Sequence, residues 1–138
     1  MTQISDIMTR GVEVVQRDAT LQHAAQLMRD LDVGALPVGD GPALAGMVTD
    51  RDITIRGIAA GMNPSEALVS AVMSPEVRSC LDTDSVEQVL AQMGDDQVRR
   101  LPVLNAAHEI VGIVALGDLA MRQPEHIDET LREISAPI

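Results

Sequence analysis

The sequence predicts a mixed α/β fold made of two copies of one strand–helix–strand–strand–helix unit. Three observations predict it. The chain resembles itself at an offset of 65 residues, with Ile7-Met8-Thr9 falling on Val72-Met73-Ser74 and Leu36-Pro37-Val38 on Leu101-Pro102-Val103. The apolar spacing changes from strand-like to helix-like in the same order in both halves. Each half also ends an apolar strand on the same kind of junction, Gly46-Met47-Val48-Thr49-Asp50-Arg51-Asp52 in the first and Gly112-Ile113-Val114-Ala115-Leu116-Gly117-Asp118 in the second. One inserted residue between Pro102 and Gly112 keeps the two in register.

Each element has a local reason. Ile4, Ile7 and Met8 give a lead-in helix or turn, and the β-branched run from Val12 to Val15 reads as a strand. Asp18-Ala19-Thr20 offers a cap, and Leu21, Ala24, Ala25, Met28 and Leu31 form the stripe of a one-sided helix to about Asp30. Such methionines belong to a core rather than to a ligand cage. Val33 to Val38 is a strand, which Pro37 assigns to a sheet edge or a strand end. Gly39-Asp40-Gly41-Pro42 turns the chain into the strand Leu44 to Thr49, and a helix follows from Asp50 to about Ala60. Gly61-Met62-Asn63-Pro64 closes that helix, and Ser65 to Val72 reads as a short helix.

The second half repeats the order. Strand Val77 to Leu81, helix Val86 to about Asp95, strand Arg99 to Leu104, strand Glu109 to Ala115 and a helix from Leu116 to about Met121 are expected. Ile127, Leu131 and Ile134 mark a final amphipathic helix. The expected divisions are thus 1–61 for the first repeat, 62–122 for the second and 123–138 for the C-terminal helix. One such unit closes a core poorly by itself; two facing each other about a pseudo-twofold axis close it well. The helix stripes Ile53, Ile58 and Leu116, Leu119 then need a cover, and a homodimer would supply it.

Composition excludes several functions. The chain of 138 residues carries 21 acidic and 10 basic residues, a net charge of -11, which disfavours a nucleic-acid partner. Every basic residue is Arg, so neither Schiff-base chemistry nor a P-loop lysine is available. Phe, Tyr and Trp are absent, so a bound base can stack on no aromatic ring and must lie between aliphatic side chains. No apolar run is long enough to span a bilayer, and the start lacks the pattern of a Sec signal, so the expected location is the cytoplasm. Cys80 stands alone, as a core thiol or a link between two chains.

The Thr49–Asp52 junction has two readings. A hydroxyl followed three residues on by a carboxylate is a helix start, the hydroxyl accepting a backbone N–H and the carboxylate sitting at the positive helix end. The same junction can also hold a phosphorylated ligand, with N–H groups for phosphate and a carboxylate for ribose hydroxyls.

On these residues the repeat resembles the CBS (cystathionine beta-synthase) domain, and the tandem resembles a CBS pair, or Bateman module. The carriers are Ala35-Leu36-Pro37-Val38 with Gly46 to Asp52, and Arg100-Leu101-Pro102-Val103 with Gly112 to Asp118, over roughly residues 5–121. In compactness, and in its Asp50-Arg51-Asp52-Ile53 and Val98-Arg99-Arg100 tracts, the chain is most similar to stand-alone bacterial CBS-pair proteins. The resemblance implies an adenosyl ligand, AMP, ADP, ATP or S-adenosylmethionine, held by clefts that draw on both repeats. The first cleft would use Thr49, Asp52, Ser74, Val77, Arg78, Ser79, Val98, Arg99, Arg100 and Pro102. The second would use Thr9, Val12, Val14, Gly34, Ala35, Pro37 and Asp118. Ala115 replaces the hydroxyl there, no arginines match Arg99 and Arg100, and Asp32 adds negative charge, so one competent cleft is expected.

No reaction is expected. His23, His108 and His126 share no spacing, and no Cys and His cluster has metal-ligand spacing. The leading reading is a regulatory module that binds an adenosyl ligand and, as a homodimer, signals in trans to an unknown effector protein. The alternative is a non-enzymatic structural or interaction protein of the same fold that binds no nucleotide and gains stability from dimerisation.

Overall fold

Residues 2–75, 77–121 and 132–134 are described by the structure, a computed structural model. They fall into two compact units, one spanning 13–77 and the other joining 1–12 to 78–138. The sequence period and the spatial units part company at the lead-ins. Residues 2–12 pack with the body of the second repeat, while the 3-10 turn Val69–Ala71 packs with the body of the first.

In the unit spanning 13–77, β1 (Val15–Gln16), β2 (Ala35–Asp40) and β3 (Ala43–Thr49) form one sheet in that order. β1 runs parallel to β2, and β2 runs antiparallel to β3. Helix α1 (Leu21–Leu31) starts where the Thr20 hydroxyl accepts a hydrogen bond from His23 N at 3.1 Å, as its cap position predicts. Leu21, Ala24 and Met28 turn inward against Leu36, Val38 and Val48. The methionine is core, as its spacing predicts, whereas Leu31 at the helix end is 43% exposed. A short α2 (Asp50–Asp52) continues without a break into a π-helical turn, Ile53–Ile58.

The other unit repeats this plan with β4 (Cys80–Leu81), α3 (Val86–Asp96), β5 (Arg100–Leu104), β6 (Ile110–Ala115) and α4 (Leu116–Ala120). Ser85 and Gln88 cap α3 reciprocally, at 3.2 and 2.8 Å. Val86, Val89, Leu90 and Met93 bury its inner face against Leu101, Val103 and Val114. The inserted residue of the second repeat lies in the β5–β6 turn, where Asn105 Oδ1 accepts from Ala107 N and Glu109 N.

Four expectations are corrected. β1 and β4 hold two residues each, so Val12, Val14 and Val77 stand outside the ladders. Pro37 lies in a central strand, not at an edge. The neighbouring strand explains how it is tolerated. Met47, opposite Pro37, gives both its N–H and its C=O to Ser74, so the pair is a non-hydrogen-bonded one and Pro37 faces the β1 side. The β1 ladder begins only at Val15 with Val38, so the N–H that proline lacks has nothing to bond there. Pro102 repeats the arrangement opposite Ile113, which bonds Thr9.

The expected helix Ser65 to Val72 is only the 3-10 turn Val69–Ala71. Its backbone is spent elsewhere, since Pro64 O and Ala67 O accept from Gln22 and Leu21, and Val69 N and Ser70 N donate to Ala19 and Arg17. Finally, three of the four residues on which the need for a covering second copy rested are buried in their own units. Ile53 is 8% exposed, Leu116 6% and Leu119 0%; Ile58 stays 52% exposed, beside Ile55 at 53%. Ile127 and Leu131 lie outside the described residues, while Ile134 packs against the core of its unit.

Candidate functional site

The Thr49 junction is built by the end of β3. Thr49 is extended, with φ -116° and ψ 162°, and its hydroxyl accepts from Asp52 N at 3.0 Å. The Asp52 carboxylate returns the bond, accepting from Thr49 N at 3.0 Å through Oδ2. Its other oxygen lies 3.9 Å from Arg56 Nε, one helical turn on, and Arg56 also reaches Val72 O at 3.5 Å. Sequence reasoning missed Arg56, although its i, i+4 spacing from Asp52 was the available signal.

Ser74 joins this site through its bridge to Met47, two residues before Thr49. That approach is close. A Cβ on Gly46 would stand 2.5 Å from Ser74 O and 3.1 Å from Met73 Sδ, so only glycine lets the lead-in bond to β3 here. Ala35 pairs opposite Thr49, and Asp50 N donates to Gly34 O at 2.9 Å. A shallow hollow of about 280 Å³ on the same turn is lined by Asp50, Arg51, Thr54 and Ile55, none of them among the expected site residues.

The matching junction of the other unit is visibly poorer. Asp118 Oδ2 accepts from Ala115 N at 3.1 Å, but Ala115 has no side-chain oxygen to accept a bond from Asp118 N in return. Thr9 bonds Ile113 through its backbone in both directions, at 2.8 and 3.0 Å. Arg100 pairs opposite Ala115, and Leu116 N donates to Arg99 O at 2.8 Å. Both arginines are exposed, and among the described residues neither forms an ion pair. Arg78 does, with the half-buried Asp96 at 3.8 Å, a long contact from an exposed guanidinium that contributes little. The Ser79 carbonyl is taken by Gln92 Nε2 at 2.8 Å, and Pro102 is buried, its carbonyl facing Cys80 Sγ at 3.8 Å.

The structure therefore brings Thr49, Asp52 and Ser74 together in one unit, with Ala35 and Pro37 on the adjoining strand and Gly34 just before it. Thr9, Asp118, Val98, Arg99, Arg100 and Pro102 share the other unit.

Cys80 is 4% exposed, and burial, with the Asp84 charge as a smaller contributor, pushes its thiol up to about 12. That removes it both as a nucleophile and as an accessible inter-chain link. His23 and His108 are exposed on α1 and on the β5–β6 turn, and His126 lies outside the described residues. Among the described residues no three of His, Cys, Asp and Glu gather as a metal site. No described helix is long and apolar enough to cross a membrane.

Duplicated units of this fold, each carrying a capped Gly-x-x-x-x-x-Asp junction, define a CBS pair. The chain belongs to the CBS-domain family, whose profile matches residues 4–56 and 69–125. Hypoxic response protein 1 of Mycobacterium tuberculosis is 42% identical over 140 residues, covering 100% of this chain and 97% of that protein. The likeness to stand-alone bacterial CBS-pair proteins read from the sequence is thus shown. The crystal structure of Hypoxic Response Protein I with two coordinated zinc ions superimposes with a TM-score of 0.78 at 43% identity, over 87% of this chain and 98% of that one. Two further structures share the fold at lower identity. CBSX2 in complex with AMP has a TM-score of 0.75 at 23% identity, over 91% of this chain and 98% of that one. The CBS pair of MJ0100 in complex with 5-methylthioadenosine and S-adenosyl-L-methionine has 0.72 at 20%, over 88% and 98%.

Proposed function

We propose that this chain is a regulatory CBS-pair module, not an enzyme, that binds an adenosyl ligand such as AMP, ADP, ATP or S-adenosylmethionine and signals in trans, as a cytoplasmic homodimer, to an effector protein. The observation that carries it is the exposed pair Arg99 and Arg100. A chain of net charge -11 that leaves two adjacent guanidiniums without a carboxylate among its described residues keeps them available for an anion. In this reading Asp52 takes ribose hydroxyls, and Thr49 and Ser74 lie near phosphate. The AMP complex of CBSX2 and the S-adenosyl-L-methionine complex of MJ0100 show that the fold admits such ligands.

One observation favours the second reading, an interaction protein that binds no nucleotide. Thr49 and Asp52 satisfy each other, so the helix-start role of both is realised without any ligand. A thermal-shift screen with AMP, ADP, ATP, S-adenosylmethionine and zinc separates the readings, because a ligand that prefers the folded state raises its stability by mass action. A rise of several degrees with an adenosyl compound supports the module. A response to none of the four adenosyl compounds at millimolar concentration supports the interaction protein.

A further inference from the structure

The two repeats differ at two helix positions one turn apart. α3 carries Gln92 and Asp96 where α1 has Leu27 and Leu31. Both polar side chains reach the residues just ahead of β4. Gln92 Nε2 donates to Ser79 O at 2.8 Å in a part-buried bond, and Asp96 Oδ1 lies 3.8 Å from Arg78 Nε. The leucines of the first repeat can make neither contact.

β4 is an edge strand, with β5 on one side only. Asp82 N, just past it, donates to Leu104 O on that side, and the alternation of extended chain turns Ser79 and Leu81 the other way. Leu81 is satisfied there by Asp84, whose Oδ2 accepts from Leu81 N at 2.9 Å and whose N–H donates to Leu81 O at 3.0 Å. Gln92 fills the Ser79 carbonyl, and among the described residues nothing accepts from Ser79 N. The outer edge of this strand is thus left with a donor and no acceptor.

With no aromatic ring in the chain, backbone groups must read a bound base. Elsewhere among the expected cleft residues of this unit they are engaged: Val98 N bonds Met93 O, Arg99 O takes Leu116 N, and Arg100 pairs with Ala115. We propose that Gln92 determines base specificity: by holding the Ser79 carbonyl it leaves the Ser79 N–H alone to meet a purine edge. That donor pairs with a ring nitrogen or a keto oxygen, and nothing on this edge accepts from an exocyclic amino group. The chain then takes purine nucleotides without selecting adenine. A ligand at Ser79 rests on the adenosyl reading above; the hold of Gln92 on Ser79 does not.

AMP and IMP test it, since they share sugar and phosphate and carry an amino or a keto group on the same ring carbon. Calorimetry on the full chain should give affinities within about threefold of each other. Gln92→Leu, the residue type of the first repeat, and Gln92→Met, which keeps the length without a donor, both free the Ser79 carbonyl. Each should raise the AMP-to-IMP affinity ratio about tenfold. A natural chain that already prefers AMP about tenfold overturns the proposal, and so does a ratio that stays or falls in both variants. The hold itself is read without ligand: the Gln92 side-chain amide should exchange about tenfold slower than that of the exposed Gln22, and equal rates overturn it. If exchange is slow while neither nucleotide binds the natural chain or the variants, the adenosyl reading fails and the base-reading role falls with it, leaving Gln92 as the cover of the β4 edge.

Discussion

Thr49 and Asp52 cap one another, each giving its backbone N–H to the other's side chain at 3.0 Å. Ala115 and Asp118, their counterparts, close only one of these two bonds. The difference comes from a single hydroxyl, which the junction after β3 has and the junction after β6 lacks.

Ala115→Thr should therefore stabilise its unit by about 0.5–1 kcal/mol by completing the cap, and Thr49→Ala should cost about 0.5–2 kcal/mol. Urea denaturation of the three proteins measures both. A Thr at 115 that leaves the midpoint where it was would show that Asp118 N already has a solvent partner of equal worth.

The repeat, the order of elements and the capped junction were legible because each is written in adjacent residues. Thr20 with Leu21, Ala24 and Met28 gave the start and inner face of α1 directly. What adjacency could not show was competition for backbone groups. Pro64 and Ala67 look helical until Leu21 and Gln22 claim their carbonyls, and Pro37 looks like an edge residue until Met47 turns its bonds to Ser74. Stripe residues misled for a related reason: Ile53, Leu116 and Leu119 find their cover within their own units. Of the candidate site, the hydroxyl and carboxylate were readable, whereas Arg56 beside Asp52 had to be seen in place.

Glycine at 112 is required by backbone that cannot yield. A Cβ there would stand 2.7 Å from Thr9 O and 2.8 Å from Met8 Sδ, and the carbonyl belongs to a bridge with Ile113. Gly112→Ala should cost about 1–3 kcal/mol. Gly117→Ala, with nothing within 4 Å and a helical backbone, should instead gain up to about 1 kcal/mol. Equal effects at the two positions in denaturant titrations would show that the Thr9 lead-in moves aside freely.

Alkali should reveal Cys80. The folded thiol, pushed up to about 12 from 9.0, keeps its proton where the unfolded one loses it. Its contribution to stability is whole below pH 9 and is lost as pH rises from 9 towards 12. The slope in that window approaches about 1.4 kcal/mol per pH unit. The chain has no Lys and no Tyr, so no other side chain titrates there. Urea melts between pH 8 and 11 should show the decline in the natural chain and lose it in Cys80→Ala; an equal decline in both would place its origin elsewhere. At pH 8 the native thiol should also resist iodoacetamide for hours.

The ligand prediction turns on charge. Phosphate needs donors and positive potential, and in this acidic chain Arg99 and Arg100 supply them without competing carboxylates among the described residues. The hydroxyl of Thr49 has no equivalent at Ala115, so an adenosyl ligand should bind once per chain. Replacing both arginines by Ala removes charge that adenosine does not use, so affinity for ATP should fall by about 1–3 kcal/mol while that for adenosine changes little. Raising salt from about 0.05 to 0.5 M should narrow the gap, since the attraction is screened over about a Debye length. Calorimetry on the natural chain and the double variant decides it. Two equivalent sites per chain, or an ATP affinity indifferent to both arginines, would overturn the role of the arginine pair in binding phosphate.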